Sequence, residues 1–599
     1  MNPIEVMRRP VRSVAALVAL AFAASPGRAA ASIAGQTLGA GLSLMLSYQI
    51  KNVVEAASSG SSERAIASGI LFAALGGAVW INQTCYVQIL PRMMEALTVH
   101  LDAELIRLTT RIPTLDYADR PLHADKIALI RDSSRQLVGG LEAVVANLRS
   151  AVMLGGTFLI LIGIDPWLAL LPFFAIPRAL AGQRARRLAV RAQETSAEPL
   201  RLRGHLFDQA TSPVAGKELR IFGLGDELAR RFLEITRLSR RLNVGALWAG
   251  AFWATSGDLA FTVGCVGAVA WVVVRAASGA VSPGGVVLAA TLTMGLVIQM
   301  TAAQEYAQYL QAIMTTAERY LWLVDVSKAA TDVRSAGGPP PARLDRRIRI
   351  EAVSFHYPDR DTPVLTDISL ELPAGRVIAL VGENGSGKST LIKLLCGFYR
   401  PSAGRILIDD TDLAEIDLPG WRRRIGGAFQ DFTNLEVVLH ESVGLGEIER
   451  LGRRDLAHAA LQRAGAADLA RLAPAGLDTM LGKRWGGTEL SGGQWQKLAL
   501  GRALIRERPL LVVFDEPAAA LDASAEHDMF VRFAAEARSA ESAGRATLLV
   551  SHRFSTVRMA DAIAVLHGGR IVEFGSHEAL LAAGAKYAEL FELQAKAYR

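Results

Sequence analysis

The chain has 599 residues, 51% of them hydrophobic and 21% charged, with a formal net charge of +7. That length allows two or three domains, and three scattered cysteines (Cys85, Cys265 and Cys396) exclude a disulfide framework or a metal-ligand pattern. The positive balance excludes nucleic acid as a partner by its distribution: Arg184, Arg186 and Arg187, like Arg230, Arg231 and Arg237, sit in connections between apolar runs, where basic residues mark the cytoplasmic side of a membrane.

At the N-terminus Arg8-Arg9, the apolar stretch 14–24 and the small residues 29–31 imitate a secretory signal. Cleavage there, or an additional span, would place the C-terminal half outside the cell. Pro26-Gly27-Arg28 also interrupts the apolar run. The expectation is an uncleaved amphipathic helix along the inner face of the membrane. Six transmembrane helices are expected near 29–50, 66–90, 141–164, 167–181, 247–274 and 283–303, since crossing takes ~20 apolar residues. The fourth is the weakest, being short and containing Pro172, Pro177 and Arg178. Connections after the first, third and fifth spans are short and poor in Lys/Arg, whereas those after the second and fourth are long and Arg-rich. That asymmetry puts both termini in the cytoplasm. Polar residues inside spans mark a candidate substrate path: Asp258 first, then Asn82, Gln83, Gln299 and Gln304, with Glu305 near the cytoplasmic mouth. A structural ion pair between helices is the competing reading for Asp258.

After the Gly/Pro-rich stretch 335–342 the pattern changes to strands alternating with amphipathic segments. The strand 377–381 runs into Gly382, Glu383, Asn384, Gly385, Ser386, Gly387, Lys388 and Ser389, a G-x-x-x-x-G-K-[ST] loop, and Thr390 opens a helix. Strand, loop and helix together define a phosphate-binding P-loop, in which backbone N–H groups and the helix terminus face anionic oxygens. Lys388 would bridge the β- and γ-phosphates of ATP, and the Ser389 hydroxyl would ligate Mg²⁺. The apolar strand 510–514 ends in Asp515-Glu516. Asp515 fits the second Mg²⁺ position, and Glu516 fits a general base that polarises the attacking water.

Between these lie Gln430, after Phe429, and Leu490, Ser491, Gly492, Gly493 and Gln494. With the P-loop before and Asp515-Glu516 after it, this Leu-Ser-Gly-Gly-Gln run resembles the ABC transporter superfamily, specifically exporter-type half-transporters of the bacterial multidrug and peptide class. The resemblance covers nearly the whole chain, and its motifs are most specific in the C-terminal part. It implies an N-terminal all-α polytopic membrane domain (1–328), a linker (329–346) and a C-terminal α/β P-loop ATPase domain (347–599). It further implies that Tyr357 stacks on adenine, that Gln430 senses Mg²⁺ and the attacking water, and that His552 contacts the γ-phosphate. Leu490–Gln494 is the signature motif, whose Ser491 and Gly493 contact ATP held by the other subunit, so that ATP joins two ATPase domains. Coupling helices are implied near 115–129 and 212–225. In the D-loop, Ala519 replaces the usual serine while Asp522 is retained. No cysteine-peptidase domain is expected before the first span.

The implied function is ATP-driven export of a small molecule, peptide or lipid-like substrate across the bacterial cytoplasmic membrane by alternating access. The partner would be a second copy of this chain, because every catalytic motif is intact. Two alternatives stay open: an exporter-fold importer with siderophore-like cargo, and a membrane-bound ATPase that gates or senses.

Overall fold

A computed structural model describes residues 3–115, 121–212, 215–332, 337–358, 360, 362–517, 531, 544–551 and 553–597. The chain forms two compact units, residues 1–104 with 132–321 and residues 105–131 with 322–599.

The first unit is helical. Helix α1 (Pro3–Ala24) is separated from α2 (Pro26–Ser58) by Ser25, with Pro26 opening the second helix, because a proline lacks the N–H that would continue the preceding ladder. Ser13, Leu17, Leu20 and Ala21 form the buried face of α1. Leu17 sits where a side chain on Gly140 would otherwise be. Residues 3–24 are therefore helical, with an apolar face docked on the bundle of their own unit. Then follow α3 (Ser62–Arg111), α4 (Pro121–Val138), α5 (Gly140–Ile164), α6 (Leu171–Thr211), α7 (Gly216–Ile221), α8 (Gly225–Ala277) and α9 (Pro283–Asp332). Among the described residues α2, α3, α5, α8 and α9 are the helices long and apolar enough to cross a membrane.

The fourth expected span differs from those five. Its first residues, Pro166–Leu170, form a 3-10 turn, and the α-helix begins only at Leu171. Asp165, 2% exposed, accepts a bond from Trp167 N–H and pairs with Arg275 at the end of α8 at 3.0 Å. What α6 lacks in apolar character it recovers by packing along α8, the most extensive helix pairing among the described elements. Gly250, Gly257 and Gly264 recur every seventh residue on α8. A Cβ at Gly257 would lie 2.9 Å from Ala181 Cβ and Arg178 Cα, and one at Gly264 would lie 2.4 Å from the Phe174 ring. In lipid, such close backbone approach replaces the hydrophobic driving force available in water.

The second unit contains two sheets. Strands β1 (Arg347–Phe355), β2 (Leu365–Pro373), β4 (Ala403–Ile408) and β5 (Thr411–Asp412) form an antiparallel sheet in the order β2-β1-β4-β5. The other sheet runs β10-β9-β3-β8-β7-β6, where β3 is Val377–Val381, β6 Ile425–Ala428, β7 Leu511–Asp515, β8 Ala546–Val550, β9 Ala562–His567 and β10 Arg570–Gly575. Only β10 is antiparallel to its neighbour. Strands β3, β7 and β8 are buried along their whole length, as expected of a parallel sheet covered on both faces. Val550 of β8 pairs with Asp515, and its neighbour Leu380 pairs with the same residue from the other side. The ends of β3 and β7 therefore share one edge of the sheet, a single strand apart.

The 337–342 stretch docks onto this unit. Gly338 donates to Glu415 O and accepts from Asp417 N–H, both at 2.8 Å. The segment 105–131 also belongs here: Leu115 N–H donates to Phe398 O at 3.2 Å. The Arg422 guanidinium donates to Pro113 O, to Cys396 O at 3.1 Å and to Gly397 O at 2.7 Å. Lys126 lies over the Trp322 ring at 4.7 Å. The first coupling helix is expected near 115–129; residues 116–120 lie outside the described residues, and Pro121–Val138 is helical.

Candidate ATP site

Parallel strands deliver loops to their C-terminal edge, and ligands of such sheets bind there. Here β3 ends in the loop Gly382–Gly387, and α10 (Lys388–Leu395) begins with Gly387 as its N-cap. Gly385 and Gly387 have φ of 80° and 108°, a left-handed conformation that favours glycine. Gly382 is required for another reason: a Cβ there would lie 2.2 Å from Leu566 O. Lys388 is 7% exposed, and its ammonium donates to Gly382 O at 2.8 Å and Glu383 O at 2.9 Å. Burial lowers its pKa, while Glu516 and Asp515 act in the opposite direction. The Ser386 hydroxyl oxygen is sealed from solvent without a hydrogen-bond partner. Together these features make a loop whose backbone and buried side chains suit an anion.

One strand away, Asp515 is 6% exposed. Burial, then the neighbouring Glu516, pushes its pKa up to about 6, against a hydrogen bond from Ser389 and the charge of Lys388. The Ser389 hydroxyl and the Asp515 carboxylate are thus side by side, a pair of hard oxygen donors. Glu516 has a φ of 50°, unusual for a residue with a side chain. Its N–H donates to Val550 O at 3.0 Å and its carbonyl accepts from Gln496 at 3.0 Å. Those two bonds hold the turn at the end of β7, and Gln496 ties it to α11 (Gly492–Leu504). Strained backbone of this kind collects at functional sites. Motif reading gave no sign of this turn or of Gln496; a long amide two residues beyond the signature motif, ahead of the Asp515-Glu516 turn, was the available hint.

At the start of α11, Ser491 is the N-cap and forms a capping box with Gln494. Ser491 N–H donates to Gln494 Oε1 at 2.8 Å, and Ser491 Oγ accepts from Gln494 N–H at 3.3 Å. Ser491 and Gly492 are exposed, and Leu490, Gly493 and Gln494 are half-buried, so the helix N-terminus faces outward, favourable ground for an anion. Tyr357 lies in an aromatic cluster 5.1 Å from Phe355 and 5.4 Å from Tyr399, its hydroxyl 3.1 Å from Thr390 Oγ1. Gln430 is exposed on a turn beyond β6. The adjacent Phe429 ring is 6.4 Å from Phe398, whose carbonyl accepts from Leu115. A chain of contacts thus joins the Gln430 turn to segment 105–131. Asn384 is exposed in the loop, and Asp522, Ala519 and His552 lie outside the described residues.

In the helical unit, Asp258 pairs with Arg178 Nε at 2.9 Å. Arg178 is 6% exposed and donates to Val297 O and Thr301 Oγ1 on α9, so this carboxylate answers a buried charge on α6. Asn82 donates to Gly35 O at 3.0 Å, and Gln299 accepts from Thr157 at 3.3 Å. Asp258, Asn82 and Gln299 each join helices, and the structure does not bring them together in one cluster. Gln304 instead faces Gly182.

A family model described as "ABC transporter" matches residues 365–519. The ATP-dependent lipid A-core flippase of Chromobacterium violaceum is 31% identical over 527 residues, covering 87% of this chain and 86% of its own. That of Nitrosococcus oceani is 30% identical over 531 residues, covering 88% and 85%. The chain belongs to the ABC transporter family. Its fold is also that of a solved bacterial Atm1-family ABC exporter with ATP bound, with a TM-score of 0.75 and 24% identity over 95% of this chain and 98% of the other. As an ABC transporter it binds nucleotide and couples ATP hydrolysis to transport, and its helical unit is membrane-embedded.

Two outcomes follow for this ABC transporter. Glu516→Gln should retain ATP binding and lower hydrolysis at least ~10²-fold, measured as phosphate release by the purified full chain; near-normal turnover removes Glu516 from the chemistry. The second concerns Asp515. Because its folded pKa is raised, the stability it contributes is present below the ordinary carboxylate pKa near 4 and is lost as pH rises through about 6. Asp515→Asn should therefore stabilise the nucleotide-free protein at pH 7.5 by up to about 3 kcal/mol, with the gain vanishing toward pH 4. Thermal denaturation across that range checks the sign.

Proposed function

We propose that this chain is one half of a homodimeric ATP-driven exporter of amphiphilic, lipid-like molecules across the bacterial cytoplasmic membrane. The observation that carries the cargo class is the similarity, along more than four-fifths of both chains, to proteins named lipid A-core flippases. The helical unit supports it. An apolar groove of 690 Å³ between α8 and α9, lined by Val266, Val269, Met294 and Ile298 among others, suits an acyl chain. Further along α9 a 310 Å³ pocket against α6 is edged by Gln304, Gln308, Gln311 and Arg186, which suit a polar head group.

In this reading ATP is held by Gly382–Thr390, with Tyr357 against adenine and Lys388 on the phosphates. Lys388 turns from its own loop carbonyls to the ligand. The donor set fits Mg²⁺, a cation that prefers oxygen ligands: Ser389, Asp515 and Gln430 would hold it, and the buried Asp515 carboxylate would gain a partner for its charge. Mg²⁺, when bound, neutralises phosphate charge. Glu516 takes the proton of the attacking water, and His552 contacts the γ-phosphate. The exposed Ser491–Gln494 terminus completes the site of a second copy, and Asp522 follows in the D-loop between the two. Two copies make two complete sites, since the motif residues of this chain are intact. ATP then favours the closed pair, and hydrolysis releases it, which alternates access to the cavity. The Arg-rich connections support a cytoplasmic position for the ATPase domains and both termini.

Reconstitution in proteoliposomes with outward-facing ATPase domains tests this. ATP should drive a headgroup-labelled lipid out of the ATPase-side leaflet, and Glu516→Gln should abolish the movement. Movement in the opposite sense would establish an importer. ATP hydrolysis without movement of any amphiphile would leave a gating ATPase.

A further inference from the structure

The second residue of the phosphate-binding loop is a carboxylate, an awkward neighbour for a triphosphate. Glu383 is half-exposed and does not face solvent alone: Lys586 Nζ lies 3.0 Å from its Oε1, and His567 Nδ1 lies 3.9 Å from the same oxygen. Lys586 is the first residue of the last helix, Lys586–Ala597. That helix is anchored independently of the pair. The Glu573 carboxylate accepts from the N–H groups of Lys586 and, at 3.1 Å, Tyr587, and the fully buried Tyr587 bonds His577 through its hydroxyl at 2.7 Å. The end of β9 completes the wall, with Leu566 O against Gly382 and His567 next in sequence.

We propose that Lys586 is a positioning residue for ATP. It fixes and neutralises Glu383, so that a loop carrying a carboxylate accepts a triphosphate, and it makes the last helix part of the nucleotide site. The Glu383 carboxylate is ionised at neutral pH in any case, as carboxylates of ordinary pKa are, and the bond to Lys586 lowers its pKa further, in keeping with an ammonium that offsets this charge beside the loop. This rests on Gly382–Ser389 being the ATP site, which Lys388→Ala tests separately by abolishing nucleotide binding.

Lys586→Met in the full-length protein should raise the KM for ATP roughly 3–10-fold, since an unneutralised charge then stands beside the phosphates, with kcat within about twofold. Lys586→Arg should retain the wild-type KM. Adding Glu383→Gln to Lys586→Met should bring the KM back down, and the Lys586→Met defect should shrink in high salt, where such exposed charges are screened. A KM unchanged by Lys586→Met, or a double variant as impaired as Lys586→Met alone, would overturn the proposal. The second result, accompanied by a lower melting temperature, would assign Lys586 to helix anchoring only.

Discussion

The structure depends on two opposite charges buried at one edge of a parallel sheet. Lys388 opens α10 after β3 and Asp515 closes β7, with β8 between them. Burial works against both charged forms, lowering the pKa of one and raising that of the other. Each gains only part of what water would have supplied: Lys388 has two carbonyls of its own loop, and Asp515 has the Ser389 hydroxyl. Buried charge of this kind is stabilised by a partner or it shifts its protonation. In the proposed site a phosphate group and a divalent cation would answer the two deficits together, so burial that costs the domain stability would contribute to nucleotide binding.

The Glu516 turn and α11 extend that edge outward. A left-handed residue at the end of β7 is held between Val550 and Gln496, so the position of the candidate base is tied to the helix whose exposed N-terminus carries the signature motif. Through Phe429, Phe398 and Leu115, the Gln430 turn is tied to the segment 105–131. These links, hydrogen bonds and ring contacts among neighbouring residues, all lie within one compact unit.

The ATPase half was largely legible in the sequence because its chemistry requires particular residues in a fixed order on short buried strands. Strand 377–381 appears with the expected bounds, and the expected 510–514 strand appears as 511–515. The turn at Glu516 and the Lys586–Glu383 pair were not legible, since both depend on contacts between residues far apart in the chain. In the membrane half, hydropathy found the five strongly apolar helices and wavered on α6. That helix is specified by its fit to α8, through the Gly250, Gly257 and Gly264 spacing and the Arg178–Asp258 pair. For Asp258 the structure shows an ion pair with Arg178, a buried arginine on the neighbouring helix whose charge calls for a partner.

The central claim is that a working site combines the phosphate-binding loop of one copy with the signature motif of another. Complementation between two inactive chains tests it most directly. One chain carries Lys388→Ala and the other Ser491→Arg, each inactive when expressed alone. Co-expression with different tags and tandem purification isolates the mixed dimer, which retains one composite site built from the two unaltered motifs. ATPase activity should reappear in that dimer, at up to about half the wild-type rate if the two sites act independently. A mixed dimer as inactive as either parent would contradict the account, since it would mean that loop and signature serve the same chain.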